Sequence, residues 1–158
     1  MTDELIELFR NTRIIAHAHL SIQSGSDKIL KAMNRHYDRK HLLNVMKKLS
    51  NIKREDGVKF GIGADLIVGF PGETDADFED TLSLIKNYTL VKVHGFPFSA
   101  HTSGYTVPAG TFENQIPESI KKERLETLIK TGNERRRQFL EANSRATLRL
   151  LAERVTPD

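Results

Sequence analysis

The chain has no cysteine and no tryptophan among its 158 residues, and only 7% of them are aromatic. The lack of cysteine excludes disulfides, a thiol nucleophile, thiolate zinc sites and any iron–sulfur cluster held by cysteines of this chain. With few aromatic rings, the core has to rest on Leu, Ile, Val and Phe. Long hydrophobic runs are missing too: no window approaches the roughly 18 apolar residues of a membrane span. Residues 1–11 carry no basic start followed by an apolar run and a small-residue cleavage site, so no secretory signal is expected. A cytoplasmic protein with no membrane partner is the default.

What is present is 38% hydrophobic and 28% charged, the mixture of a soluble globular domain. The length suits one domain of ordinary size. The net charge of +3 does not by itself imply a nucleic acid, because a polyanion-binding surface depends on clustering.

Apolar spacing predicts a short helix over residues 2–11, a strand over 14–23, a short helix over 27–34 and a longer one over 39–54. A second strand follows over 59–70. Pro71-Gly72 ends it, and Thr74 to Asp77 resembles a capping box opening a helix to residue 87. A third strand is expected over 90–98, a Ser/Thr/Gly/Pro loop over 99–117, a basic helix over 118–143 and a short strand over 147–155. Strands alternating with helices point to βαβ units and a parallel sheet. Three parallel strands make a small sheet, which hints at part of a larger one.

Side chains alternate along a strand. In the first strand His17, His19, Ser21 and Gln23 share one face, opposite an apolar one. In the second, Gly61, Gly63, Asp65, Ile67 and Gly69 share a face that is nearly bare apart from a carboxylate. Such a face leaves room for a ligand or for a close backbone, and Asp65 either serves a ligand or caps a neighbouring element. In an αβ barrel, Gln23 and Asp65 would lie toward the C-terminal strand ends, where ligands bind. His17 and His19 show no third metal ligand at sensible spacing, so ordinary hydrogen-bonded histidines are the simpler reading. On the third strand His94, Phe96 and Phe98 share a face, either stacking on a base or packing in the core. The loop from Gly69 to Thr74 has the form of one that offers N–H groups to an anion, but it is not a P-loop. The run Arg135, Arg136 and Arg137 is either a solvated mixed-charge face or an RNA phosphate contact.

Taken in order, His19-Leu-Ser-Ile-Gln-Ser-Gly-Ser26, Leu30-Lys-Ala-Met-Asn-Arg35, Gly63-Ala-Asp-Leu-Ile-Val-Gly-Phe-Pro-Gly-Glu-Thr74 and Val93-His-Gly-Phe-Pro-Phe-Ser99 resemble consecutive motifs of the radical S-adenosylmethionine (SAM) methylthiotransferases. The match runs over about residues 12–155. The resemblance implies an α/β fold, the C-terminal half of a partial TIM-like (βα)6 radical SAM barrel with outer helices. Residues 1–142 would form that half. Residues 143–158 would be the linker and first strand of a truncated RNA-binding (TRAM-like) domain. The front half, with the Cys-x3-Cys-x2-Cys motif for the [4Fe–4S] cluster, would be a missing partner, so the chain alone would be inactive.

The same resemblance implies SAM as cofactor, with Gln23 and Asp65 on its polar groups and Arg35 on its carboxylate. Ser24 and Glu73 are further SAM candidates. It implies tRNA as partner, through the anticodon loop, with Arg135, Arg136 and Arg137 as RNA contacts. The reaction implied is addition of a methylthio group to C2 of a modified adenosine at tRNA position 37. Arg35 to Arg39 and residues 93–99 look most like the branch acting on N6-threonylcarbamoyladenosine, although His101 stands where that branch has Arg. Three alternatives stay open: a non-catalytic SAM- or RNA-binding module, an enzyme like the ribosomal protein S12 methylthiotransferases, and an unrelated αβ hydrolase or lyase using Asp65 with His19. An uncovered first strand predicts poor folding of the chain alone.

Overall fold

The computed structural model describes residues 1–100 and 108–144. Its elements run α1 (Asp3–Leu8), β1 (His17–Gln23), α2 (Asp27–Ala32), α3 (Arg39–Ser50), β2 (Gly61–Val68), α4 (Asp75–Asn87), β3 (Leu90–Pro97), a 3-10 turn (Pro108–Thr111) and α5 (Glu118–Asn143). The three strands form one parallel sheet in the order β1-β2-β3. The α/β class and parallel order agree with expectation. The expected strand over 147–155, the domain boundary beyond residue 144 and the His101 position lie outside the described residues.

Capping chemistry starts the helices where the sequence places polar residues. The Ser26 hydroxyl caps α2, and the Asp38 carboxylate accepts the His41 N–H at 2.7 Å to cap α3. Thr74 and Asp77 form a reciprocal capping box that opens α4. Pro117 precedes α5, with no side-chain cap. Among the described residues no helix is long and apolar enough to cross a membrane.

The helices cover one face of the sheet. Ile62, Ala64, Leu66 and Val68 of β2 are fully buried, together with Met46 and Leu49 of α3, Leu84 and Ile85 of α4, and Leu128 of α5. Close packing of α5 on β3 needs two glycines. A Cβ on Gly95 would sit 2.7 Å from Leu125 and 2.8 Å from Leu128, and one on Gly132 would sit 2.9 Å from Val93. A second small core joins Ile29, Phe70, Phe98 and Ala109, with Phe70 and Phe98 edge-to-face at 5.1 Å. Phe98 therefore leaves the face it was expected to share with His94 and Phe96, because the strand ends at Pro97.

Candidate functional site

The uncovered face of the sheet is polar. His17 pairs with Gly61, His19 with Gly63, and Asp65 with His94 across the two ladders. Residues in register across a parallel sheet point to the same side, so β1, β2 and β3 each bring polar groups to one patch. The patch is not as bare as the glycines suggest. A Cβ on Gly63 would collide with the rings of His19 and His17, so the imidazoles lie over the space the glycine leaves.

Asp65 is the centre of this patch. Its Oδ1 meets Nε2 of His19 at 2.9 Å and Nδ1 of His94 at 3.3 Å. The Ser21 hydroxyl donates to Oδ2 at 3.4 Å. The two imidazole rings stand 5.1 Å apart and tilted by 41°. The His19 hydrogen bond, opposed by partial burial and helped by His94, holds the Asp65 carboxyl below the usual carboxylate range. Burial first, and then the charges of His19 and Lys92, hold His17 below the ordinary imidazole value.

The other expected site residues fall in different surroundings. Gln23 does not continue the His17, His19, Ser21 face. The ladder jumps from Leu20–Ala64 to Gln23–Leu66, a bulge, and Gln23 adopts φ 69° and is buried. Ser24 is fully buried; its hydroxyl accepts the Ser26 N–H at 3.2 Å and meets the Thr81 hydroxyl at 3.4 Å. Arg35 is exposed in a depression of about 380 Å³ lined by Asp27, Lys31, His36, Tyr37 and Asp38, which includes neither Asp65 nor Gln23. Tyr37 ties that segment to β1 by donating to the carbonyls of Ser21 and Ile22.

Glu73 is buried behind the sheet end. Its Oε2 accepts the Gly69 N–H at 2.7 Å and Arg124 at 2.8 Å, while Oε1 is buried without a partner among the described residues. Burial pushes this carboxyl up, and the Gly69 N–H and Arg124 oppose it. The N–H groups of Gly69, Gly72, Glu73 and Thr74 all have acceptors within the fold. The expected anion cradle in this loop is therefore not formed: its donors fix the turn instead.

The arginine run is not one patch. Successive helical residues point about 100° apart. Arg135 donates to the Tyr88 carbonyl at 3.0 Å, and Arg137 is paired with Glu134 and Glu141. Only Arg136 of the three is without a partner among the described residues. Sequence reasoning missed His94 as a partner of Asp65. The only available signal was its place one strand over, and register is not readable from one strand.

The sequence profile described as the Radical SAM superfamily matches residues 1–85, more than half of the chain's 158 residues. The parallel sheet with its polar open face thus belongs to the radical SAM class. The tRNA-2-methylthio-N(6)-dimethylallyladenosine synthase of Rickettsia canadensis is 41% identical over 155 residues, covering 98% of this chain and 33% of its own length. The threonylcarbamoyladenosine tRNA methylthiotransferase of Thermotoga maritima is 45% identical over 129 residues, 81% of this chain and 28% of its own. A dimethylallyladenosine-type synthase of Clostridium botulinum (strain Langeland) is 40% identical over 135 residues, 85% and 28%. The chain belongs to the radical SAM methylthiotransferase family, and it spans about a third of the length of these curated relatives.

Proposed function

We propose that this chain supplies the SAM-gripping and substrate-facing part of a tRNA methylthiotransferase that acts on a modified adenosine at position 37 in the cytoplasm. The observation that carries this reading is the position of Asp65. Its carboxylate is held by His19 and His94 on the open sheet face, and among the described residues the only hydrogen bond to Oδ2 is the 3.4 Å one from Ser21. That oxygen is free to accept a hydroxyl, as a ribose requires. The Gln23 amide and the Arg35 guanidinium have no hydrogen-bond partner among the described residues, so both are available to a polar cofactor. Arg35 offers a two-pronged donor to a carboxylate. The Ser24 hydroxyl is engaged with Ser26 and Thr81, whereas Glu73 keeps Oε1 buried without a partner among the described residues, and both stand as weaker SAM candidates than Asp65, Gln23 and Arg35.

A cysteine-held cluster does not fit this chain, which has no cysteine. When bound, SAM supplies the methyl group and the radical chemistry at the adenine ring. The residues here position it: Asp65 on hydroxyls, Arg35 on the carboxylate, and Gln23 on a further polar group. Arg136 and the neighbouring cations of α5 would contact tRNA phosphates. We favour the threonylcarbamoyl adenosine on the Arg35 to Arg39 and 93–99 segments. The test replaces the corresponding third of the Thermotoga relative with this chain in a strain lacking the modification. Mass spectrometry of tRNA nucleosides should show 2-methylthio-threonylcarbamoyladenosine. The dimethylallyl product would move the substrate assignment, and no methylthio nucleoside beside an active parent enzyme would sink the proposal.

A further inference from the structure

We propose that His19, Asp65 and His94 form a divalent transition-metal site on the open face of the sheet, sharing Asp65 with the proposed cofactor contact but not resting on that reading. The ligand atoms of the three residues lie within 4.8 Å of one another. Their separations from Asp65 Oδ1, 2.9 Å for His19 and 3.3 Å for His94, are close to the roughly 3.4 Å between donors of a tetrahedral ion bound at about 2.1 Å. Two neutral imidazoles and one carboxylate suit Zn2+, Co2+ or Ni2+ better than Ca2+ or Mg2+, which want oxygen ligands.

Two further features point to a built arrangement. Gly63 lies beneath the His19 ring, and any Cβ there would push Nδ1 away and turn the ring off Asp65. The Ser21 hydroxyl donates to Asp65 Oδ2 and so orients the carboxylate from behind, as hydrogen bonds to ligating carboxylates do around metals. The three ligands come from three different strands, Asp65 in register with His94 and His19 opposite Gly63 two residues earlier, so a rigid sheet fixes them. The fourth position faces the open side of the sheet and would be filled by water. Oδ2 stays available for a hydroxyl, so an ion on Oδ1 and a cofactor hydroxyl need not exclude each other.

The test titrates Zn2+ into the metal-free full chain by calorimetry, with Co2+ absorbance as a second readout. One ion per chain is expected, with a Co2+ spectrum of four- or five-coordinate nitrogen and oxygen ligation. His19→Ala and His94→Ala should each weaken binding by about tenfold or more. His17→Ala, on the same face but outside the cluster, should change it less than about twofold. Absence of binding tighter than about 1 mM, or binding indifferent to both His19→Ala and His94→Ala, overturns the proposal. If a histidine variant loses its fold by circular dichroism, the Co2+ spectrum of the unaltered chain decides: a six-coordinate, all-oxygen spectrum overturns it.

Discussion

Arg124 of α5 and Glu73 of the β2–α4 loop meet at 2.8 Å with both side chains almost wholly buried. The same guanidinium donates to the Glu73 carbonyl at 3.1 Å and to Asp75 at 2.6 Å. One side chain therefore pins the last helix to the loop that follows the central strand. Removing one member of a buried pair leaves the other charged and unpaired.

Arg124→Met should destabilise the chain by about 3–5 kcal/mol in urea denaturation at neutral pH. Glu73→Gln should cost less, about 1–2 kcal/mol, because the amide still accepts from Gly69 and Arg124. The sign with pH is specific. Burial raises the Glu73 carboxyl and Arg124 opposes that rise, so without the guanidinium the carboxyl moves further up. The penalty of Arg124→Met should therefore shrink as pH falls from 8 toward 5. A penalty that grows on acidification would contradict the buried pair.

Asp77 predicts the opposite acid behaviour. Burial works to raise its carboxyl, but hydrogen bonds from Ser26, Thr74 and Lys28 outweigh it and hold it far below the ordinary range. A depressed carboxyl stabilises the fold above the unfolded value of about 3.9, and that contribution is lost as pH falls toward the folded value. The urea midpoint should fall steeply below about pH 4, and Asp77→Asn should flatten that slope while lowering the midpoint at pH 7. An unchanged acid slope in the variant would remove Asp77 from this role.

Gly25 sits where β1 meets α4. A Cβ there would lie 2.5 Å from the Asp80 carbonyl oxygen and 2.7 Å from the Thr81 Cα, both backbone atoms that cannot step aside. Arg39 locks the same contact by donating to the carbonyls of Gly25 and Asp80. Gly25→Ala should destabilise by about 1–3 kcal/mol in thermal or urea melts. A neutral effect would mean the loop and helix are not packed this closely.

Much of the sheet was legible because hydrophobic alternation is a local signal. Ile62, Ala64, Leu66 and Val68 read as one buried face and are one. Helix α5 was placed residue for residue, and the capping box of Thr74 and Asp77 was visible. Alternation failed at Gln23, where a bulge with positive φ inserts an extra residue. The partnership of Asp65 with His94 depends on a register that shifts between Ile62 and Gly63, and no single strand encodes that. The three arginines looked like a patch in sequence but are splayed by the helical period and drawn off by Tyr88, Glu134 and Glu141. The strands are shorter than apolar patterning predicts, because apolar residues such as Phe60 and Phe98 are buried beyond the ladder.

The most direct test of the SAM-gripping face is the SAM affinity of the Thermotoga chimaera carrying this chain, with and without Asp65→Asn. Asparagine keeps the size of the side chain but removes the charge that receives a hydroxyl. A hydrogen bond to a charged acceptor is worth about 1.5–3 kcal/mol, so SAM binding by equilibrium dialysis should weaken roughly 10- to 150-fold. An Asp65→Asn chimaera that is folded and binds SAM as tightly as its parent would show that the open face of this sheet does not hold the cofactor.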